Sequence, residues 1–475
     1  MMPLRTANIV GSGPNGLAAA ITLAERGAAV MVYERAAAVG GACSTAELTL
    51  PGFRHDVGSS VFPLGVASPF FRTLPLERFG LRWIEPDAPL AHPLDDGSAV
   101  VLEHDLEATA AQFEAHDGRA WRSLLEALVA DWPILINELT QPLLRVPRHP
   151  LGLAHFGMHA ALPAALLGKM RFRGERGRAL LAGLAAHSVL PLEHVGSSGA
   201  GLVLAAAGHA TGWPIAAGGA QSLTRALADY LVSLGGRIFL NAGIEHLEQM
   251  EAADVALFDT GPRALDRIAG EQLTPSFRTR MRHFEYGPGA FKIDWALSEP
   301  IPWRAAEVRR AGTVHVGGSM KEIAASEAAA FKGKHCDRPF VLVVQPSLFD
   351  SSRAPEGKHT AWGYCHVPSG ATLDRTEQIE AQVERFAPGF RDCILARAVG
   401  GPERMESLNP NLVGGDITGG AMTISQTFTR PTAHLYRTSS LRIYLCSAST
   451  PPGGGVHGMC GHLAALAALK DHERG

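Results

Sequence analysis

The chain opens with a short apolar run, Thr6 to Val10, that stops at a glycine-rich turn, Gly11 to Gly16. A brief unbroken apolar run bounded by turn residues reads as a strand buried on both faces. An alanine-rich stretch, Leu17 to Arg26, then carries helical spacing and ends at Gly27. A second buried run, Ala29 to Tyr33, ends at Glu34. Strand, turn, helix and strand within about thirty residues form the unit with which dinucleotide-type α/β sheets begin.

The texture changes between about Leu76 and Gly212. Glu107 to Leu139 has helical periodicity, with Phe113, Trp121, Leu124, Leu125 and Leu128 on the apolar stripe. Pro142 to Pro163 is apolar but broken by prolines, and Leu180 to His187 predicts another helix. This region reads as a helix-rich insertion. Beyond Gly218 and Gly219 the pattern predicts a helix over Ser222–Ser233, closed by Gly235 and Gly236, and strands at Arg237–Leu240 and Val255–Phe258. Strand-like runs recur at Phe340–Val344 and Thr360–His366, with a helix at Thr376–Phe386. A last strand, Arg442–Cys446, leads through a proline- and glycine-rich run to a final helix over Val456–Leu469.

Length and composition narrow the class. A chain of 475 residues suits two domains. With 46% hydrophobic and 19% charged residues it has ample core. A formal net charge of -3 and scattered aromatics give no signal for nucleic acid, and none is expected as a partner. The six cysteines form no CxxC pair, which argues against a zinc site or a redox disulfide and suits free thiols in a reducing cytoplasm. No metal site is expected. No uncharged apolar stretch reaches the roughly 18 residues of a spanning helix. The apolar start runs directly into the glycine turn, so no signal peptide is expected.

The turn itself, Gly11-Ser12-Gly13-Pro14-Asn15-Gly16, matches GxGxxG and has a strand before it and a helix after it. The first glycine permits the turn, the second lets backbone approach a pyrophosphate, and the third lets helix and strand pack closely. The helix start offers unpaired N–H groups and partial positive charge to phosphates. Glu34 follows Gly16 by 18 residues, at a strand end, where a carboxylate can accept both ribose hydroxyls. Arg35 and the double glycine Gly40-Gly41 come next, and this extended pattern resembles the FAD-binding half of the glutathione-reductase and amine-oxidase superfamily.

The segment from Gly41 through Asp56 to Ser59 is similar to the phytoene desaturase family. It is closest to that family's soluble branch, the pyridine nucleotide-disulfide oxidoreductase domain-containing proteins. Three further blocks carry the resemblance along the chain: Gly212 to Gly219, Phe258 to Arg263, and Ser449 to Gly458. The resemblance implies FAD as cofactor, with Gly11, Ser12, Gly13, Pro14, Asn15 and Gly16 cradling its pyrophosphate. Glu34 and Arg35 would flank the adenosine, and Ile244 would offer adenine a backbone contact. Gly40, Gly41, Ala42, Gly58 and Ser59 would line the ribityl and flavin side, with Gly455, Val456 and His457 at the ring. Many relatives in the wider superfamily carry a basic residue after the double glycine, where this chain has Ala42. The implied fold is α/β: a Rossmann-type FAD-binding domain (1–75, 213–264 and 411–475) with a discontinuous α+β substrate domain (76–212 and 265–410) that contains the helix-rich insertion.

The expected activity is FAD-dependent desaturation or dehydrogenation of a hydrophobic carotenoid, isoprenoid or acyl-like substrate, by hydride transfer to flavin N5. Only one Rossmann fingerprint is present, so electrons are expected to pass to oxygen or a quinone. His457 is the first catalytic candidate, ahead of His55, Asp56 and His209. The cluster Lys169, Arg171, Arg173, Arg176 and Arg178 could meet anionic headgroups and give peripheral membrane contact. Relatives of this fold also isomerise or saturate double bonds, and a non-catalytic FAD-binding partner protein is the third alternative. The sequence leaves the oligomeric state open.

Overall fold

The computed structural model describes residues 4–143 and 145–474. The opening unit forms as its pattern dictates. Thr6–Val10 and Ala29–Tyr33 pair in parallel, joined by the helix Pro14–Ala24. That helix starts three residues before the expected Leu17, because Pro14 sits at its first position with φ already fixed for a helix. Three more parallel strands complete a five-stranded sheet in the order Ile443–Leu445, Val255–Phe258, Thr6–Val10, Ala29–Tyr33, Arg237–Phe239. Its core is aliphatic and alanine-rich, and the first helix packs on the last, Met459–His472. The approach is so close that a Cβ on Gly461 would lie 1.8 Å from the carbonyl oxygen of Asn15.

The second sheet has seven strands, in the order Ile394–Gly400, Gly289–Leu297, His359–Val367, Val341–Val344, Ala311–Val316, Ala88–Pro93, Ala99–Leu102. All neighbours are antiparallel except Ala311–Val316 with Ala88–Pro93. One face packs against the helix Thr376–Phe386 through Ile293, Trp295, Val343, Ile379 and Val383. Alternation puts Lys292, Asp294, Thr313, His315, Trp362, Tyr364 and His366 on the other, inner face.

The expected helix-rich insertion is present. Glu107 to Leu139 resolves into three helices, Leu106–Ala110, Ala115–Ala130 and Trp132–Leu139. Two prolines in the apolar stretch after them begin helices rather than break them: Pro150 opens Pro150–Ala160, and Pro163 caps Ala164–Arg171. The helix expected from Leu180 already starts at Glu175 and runs to Ala186. The final helix begins at Met459, not Val456, because Gly458 adopts φ +69 immediately before it.

Candidate functional site

The first candidate site is the turn at the carboxyl ends of the parallel strands, where such sheets hold ligands. Gly11 N–H donates to Tyr33 O (2.9 Å) and Gly40 N–H to Ser12 O (3.0 Å), so the double-glycine loop is laced to the glycine turn. A Cβ on Gly41 would lie 3.8 Å from the Cα of Gly13, and one on Gly58 would lie 2.5 Å from Ala42 O. The structure therefore brings Gly11, Ser12, Gly13, Gly16, Gly40, Gly41, Ala42 and Gly58 around one cradle.

Glu34 is buried beside it. Its Oε2 accepts from Ser12 N–H (2.9 Å) and Ser12 Oγ–H (2.6 Å), and its Oε1 from Ala36 N–H (2.8 Å). Glu34 thus braces the turn through Oε2 and has acceptor capacity left on Oε1 only, where the carboxylate was expected to accept both ribose hydroxyls. Arg35 reaches Ser407 O (3.1 Å), and its Cβ lies by Gly243, next to Ile244. Ile244 is half-buried against Val10 and Phe258.

Sequence reasoning missed the residue that answers whether an anionic cofactor fits. Asp259 ends the neighbouring strand, and its Oδ2 accepts from Gly16 N–H at 2.9 Å. A Cβ on Gly13 would lie 2.6 Å from the same oxygen. The carboxylate stands in for an anionic oxygen at the start of the first helix. Burial and the charge of Glu34 push its pKa up to about 7, against the pull of the Gly16 amide. Asn15 Oδ1 is buried without a partner. An amide held by an anionic oxygen, and a glycine whose side chain would fill the same space, fit the diphosphate of FAD.

Asp56 anchors a second cluster. Its Oδ1 accepts from Thr45 Oγ–H (2.8 Å) and Ala220 N–H (2.9 Å); its Oδ2 accepts from Ser60 and lies 2.8 Å from Arg353 Nη2. Both side chains of this ion pair are fully buried. Lys292, from the inner face, donates to Asp56 O (3.0 Å) and Asp294 Oδ1 (2.5 Å) and lies 5.3 Å from the Trp362 ring centroid. Burial pushes Asp294 above the usual carboxylate range although Lys292 opposes it. His55 bonds Thr49 Oγ1 (2.8 Å) and lies 3.6 Å from Asp294; burial, with Lys292 and Arg353 nearby, lowers its pKa to about 3. His55 is therefore neutral, and both Asp56 carboxylate oxygens are engaged.

The carboxyl-terminal block closes the site. Gly65 lies against Val456 O, and Leu64 against Gly455. His457 is buried; its Nδ1 accepts from Met459 N–H (3.0 Å) and its carbonyl from Ser68 Oγ–H (2.6 Å). Burial lowers its pKa to about 4. In the structure His457 caps the last helix. His209 lies in the insertion, where its Nε2 accepts from Trp121 Nε1–H (3.2 Å), and does not join the others. Among the described residues no group of three or more His, Cys, Asp or Glu could hold a metal ion.

Known proteins are similar to this chain in sequence and in fold. Residues 9–74 match the NAD(P)-binding Rossmann-like domain family. The chain is 26% identical to the mouse (Mus musculus) pyridine nucleotide-disulfide oxidoreductase domain-containing protein 2, over 99% of this chain and 94% of that one. It is 26% identical to 4,4'-diapolycopen-4-al dehydrogenase of Metabacillus indicus, over 54% of each chain. Putrescine oxidase shares the fold, with a TM-score of 0.63 at 16% identity over 99% of both chains.

Proposed function

We propose that this FAD-type oxidoreductase, built on a Rossmann-like nucleotide-binding domain, dehydrogenates or desaturates a hydrophobic substrate held between the flavin and the inner face of the seven-stranded sheet. Bound FAD supplies the two-electron acceptor for a hydride. The observation that supports this reading is that the Asp259 carboxylate accepts from the Gly16 amide at the start of the first helix, where an anionic oxygen of the cofactor would sit. Around it, Gly11 to Gly16, Glu34, Arg35, Gly40 to Ala42 and Ile244 would hold the nucleotide half. Gly58, Ser59 and Gly455 to His457 would line the flavin end. The division into a discontinuous cofactor domain and a substrate domain belongs to the same proposal.

The chain's own residues do three things in this reading. Arg353, Asp56 and Lys292 fix the cofactor-side hairpin to the substrate sheet. Neutral His55 and His457 keep positive charge out of the interior. Val61, Leu64, Leu342, Val344 and Trp362 supply apolar wall that excludes water. The electron acceptor would be oxygen or a quinone.

Membrane contact is proposed through the insertion. Pro150–Ala160 and Ala164–Arg171 meet at 93°, and among the described residues no single helix is long and apolar enough to cross a membrane. Val146 is 90% exposed, Leu151 86%, Met158 64% and Met170 64%. Arg145, Arg148, Lys169 and Arg171 stand in this region with Glu138 as its one acid. Exposed apolar side chains in the same stretch as Arg148, Lys169 and Arg171 suit an anionic interface, while Arg145 is ion-paired with Glu138. Of the expected cluster, Arg176 and Arg178 are instead tied to protein, donating to Ser98 Oγ (2.8 Å) and Phe172 O (3.0 Å).

The test is anaerobic mixing of the purified protein with C10–C40 isoprenoid and acyl substrates. Bleaching of the flavin band without an external donor, followed by recovery with oxygen or a quinone, is expected. Activity appearing only after prior flavin reduction would replace this reading with saturation or isomerisation.

A further inference from the structure

Buried polar atoms almost always find partners in folded proteins. On the inner face of the seven-stranded sheet several do not. Trp362 Nε1, Thr313 Oγ1, His366 Nε2 and the facing Trp213 Nε1 and Glu327 Oε1 are all buried without a hydrogen-bond partner. Strand register joins them. His315, Leu342 and Tyr364 lie in one row across three strands, and Thr313, Val344 and Trp362 in the next. Helices of the insertion close over this face: His187 Nε2 lies 2.9 Å from His315 Nε2, and Trp213 stacks edge-on to His187 at 6.0 Å. His187, over this face, and Tyr364, on it, each keep part of their surface accessible.

Resting on the oxidoreductase reading above, we propose that His187 and Tyr364 border an internal chamber that binds the part of the substrate carrying a neutral oxygen, a hydroxyl or a carbonyl. Two orphaned indole N–H groups can only donate, so they call for an acceptor oxygen. The nearest cation on this face, Lys292, is committed to Asp294 and Asp56, which leaves no counter-ion for a carboxylate. Burial lowers the pKa of His187 to about 3 and holds that of His315 well below the usual value, so both rings are neutral. A neutral pair joined Nε2 to Nε2 has two tautomeric arrangements. In one, His187 Nδ1 is a bare acceptor suited to an alcohol O–H; in the other it is an N–H donor suited to a carbonyl. The same pair can thus hold an alcohol and its ketone or aldehyde.

The test uses the full chain with its flavin and a matched set of probes: 1-octene, 1-octanol, 2-octanone and octanoate. Binding is followed by the 15N-indole N–H resonances, assigned with Trp213→Phe and Trp362→Phe. Octanol and octanone should bind at least tenfold tighter than octene and octanoate and should shift both indole resonances. Each substitution should cut the preference over octene to about threefold or less. Equal affinity for octene and octanol in the unsubstituted protein would overturn the assignment, whether or not the variants fold, and so would a preference for octanoate. A colourless protein that still discriminates would sink the flavoenzyme reading and keep the chamber. A flavin-loaded protein that does not discriminate would sink the chamber alone.

Discussion

Replacing Asp259 with Asn separates the work of its shape from the work of its charge. The carboxylate sits on the amide of Gly16 and titrates near pH 7, against an ordinary value of 3.8. Three pH units correspond to about 4 kcal/mol of penalty for holding it ionised in the folded cofactor-free protein. The sign follows from proton counting. The folded state keeps the proton that the unfolded state releases, so this residue's contribution to stability falls as pH rises from about 4 to about 7 and is flat above. Asn keeps an oxygen for the Gly16 amide but loses the stronger bond a charge makes, worth about 1 kcal/mol. Cofactor-free Asp259→Asn protein should therefore unfold at pH 8 with about 2–3 kcal/mol more stability than the parent, and the gain should vanish near pH 4. In the proposed site FAD would bring a diphosphate to the Gly16 amide, so its binding would favour the protonated acid. Between pH 7 and 9 the Kd for FAD should rise by up to ~100-fold in the parent, a tenfold step per unit, and by less than about threefold in the variant. Quenching of flavin fluorescence during titration of cofactor-free protein measures both slopes. Parallel slopes for the two proteins would refute the placement of this carboxylate at the diphosphate site.

Three further tests probe other parts of the account. Gly13→Val should abolish FAD retention, because the first added carbon already lies 2.6 Å from Asp259 Oδ2; flavin content per mole of protein checks this. Lys292→Met leaves Asp294 buried without its cation, so denaturant unfolding at pH 8 should show a loss of about 3 kcal/mol, partly recovered by Lys292→Met with Asp294→Asn. Leu151→Glu with Met158→Glu should lower co-sedimentation with vesicles containing anionic lipid by at least tenfold while leaving flavin content unchanged.

Much of the nucleotide-binding end was legible because its signals are local. A glycine turn, an apolar strand on each side and a proline able to open a helix fall within thirty residues, and Thr376–Phe386 folds as the helix its spacing predicts. The substrate sheet was harder to read. Gly289–Leu297 is buried at all nine positions and Ala88–Pro93 at all six, so neither shows the two-residue alternation of a half-exposed strand. Lys292 and Asp294 did carry a signal, two opposite charges at i and i+2 in an apolar run, which places them on one face of a strand. Asp259 lay inside a motif that was recognised, but its partner is 243 residues away at Gly16, and only the sheet order brings them together. His457 is a further case: a histidine beside a triple glycine invites a catalytic reading, and in the fold its ring Nδ1 accepts from the first amide of the last helix.

The most direct measurement is the visible spectrum of the purified chain together with extraction of its chromophore. The account predicts absorption bands near ~450 and ~370 nm, as a bound flavin gives, and release of one FAD per chain on denaturation. A colourless protein that takes up no added FAD at pH 6, where Asp259 is protonated, would contradict it.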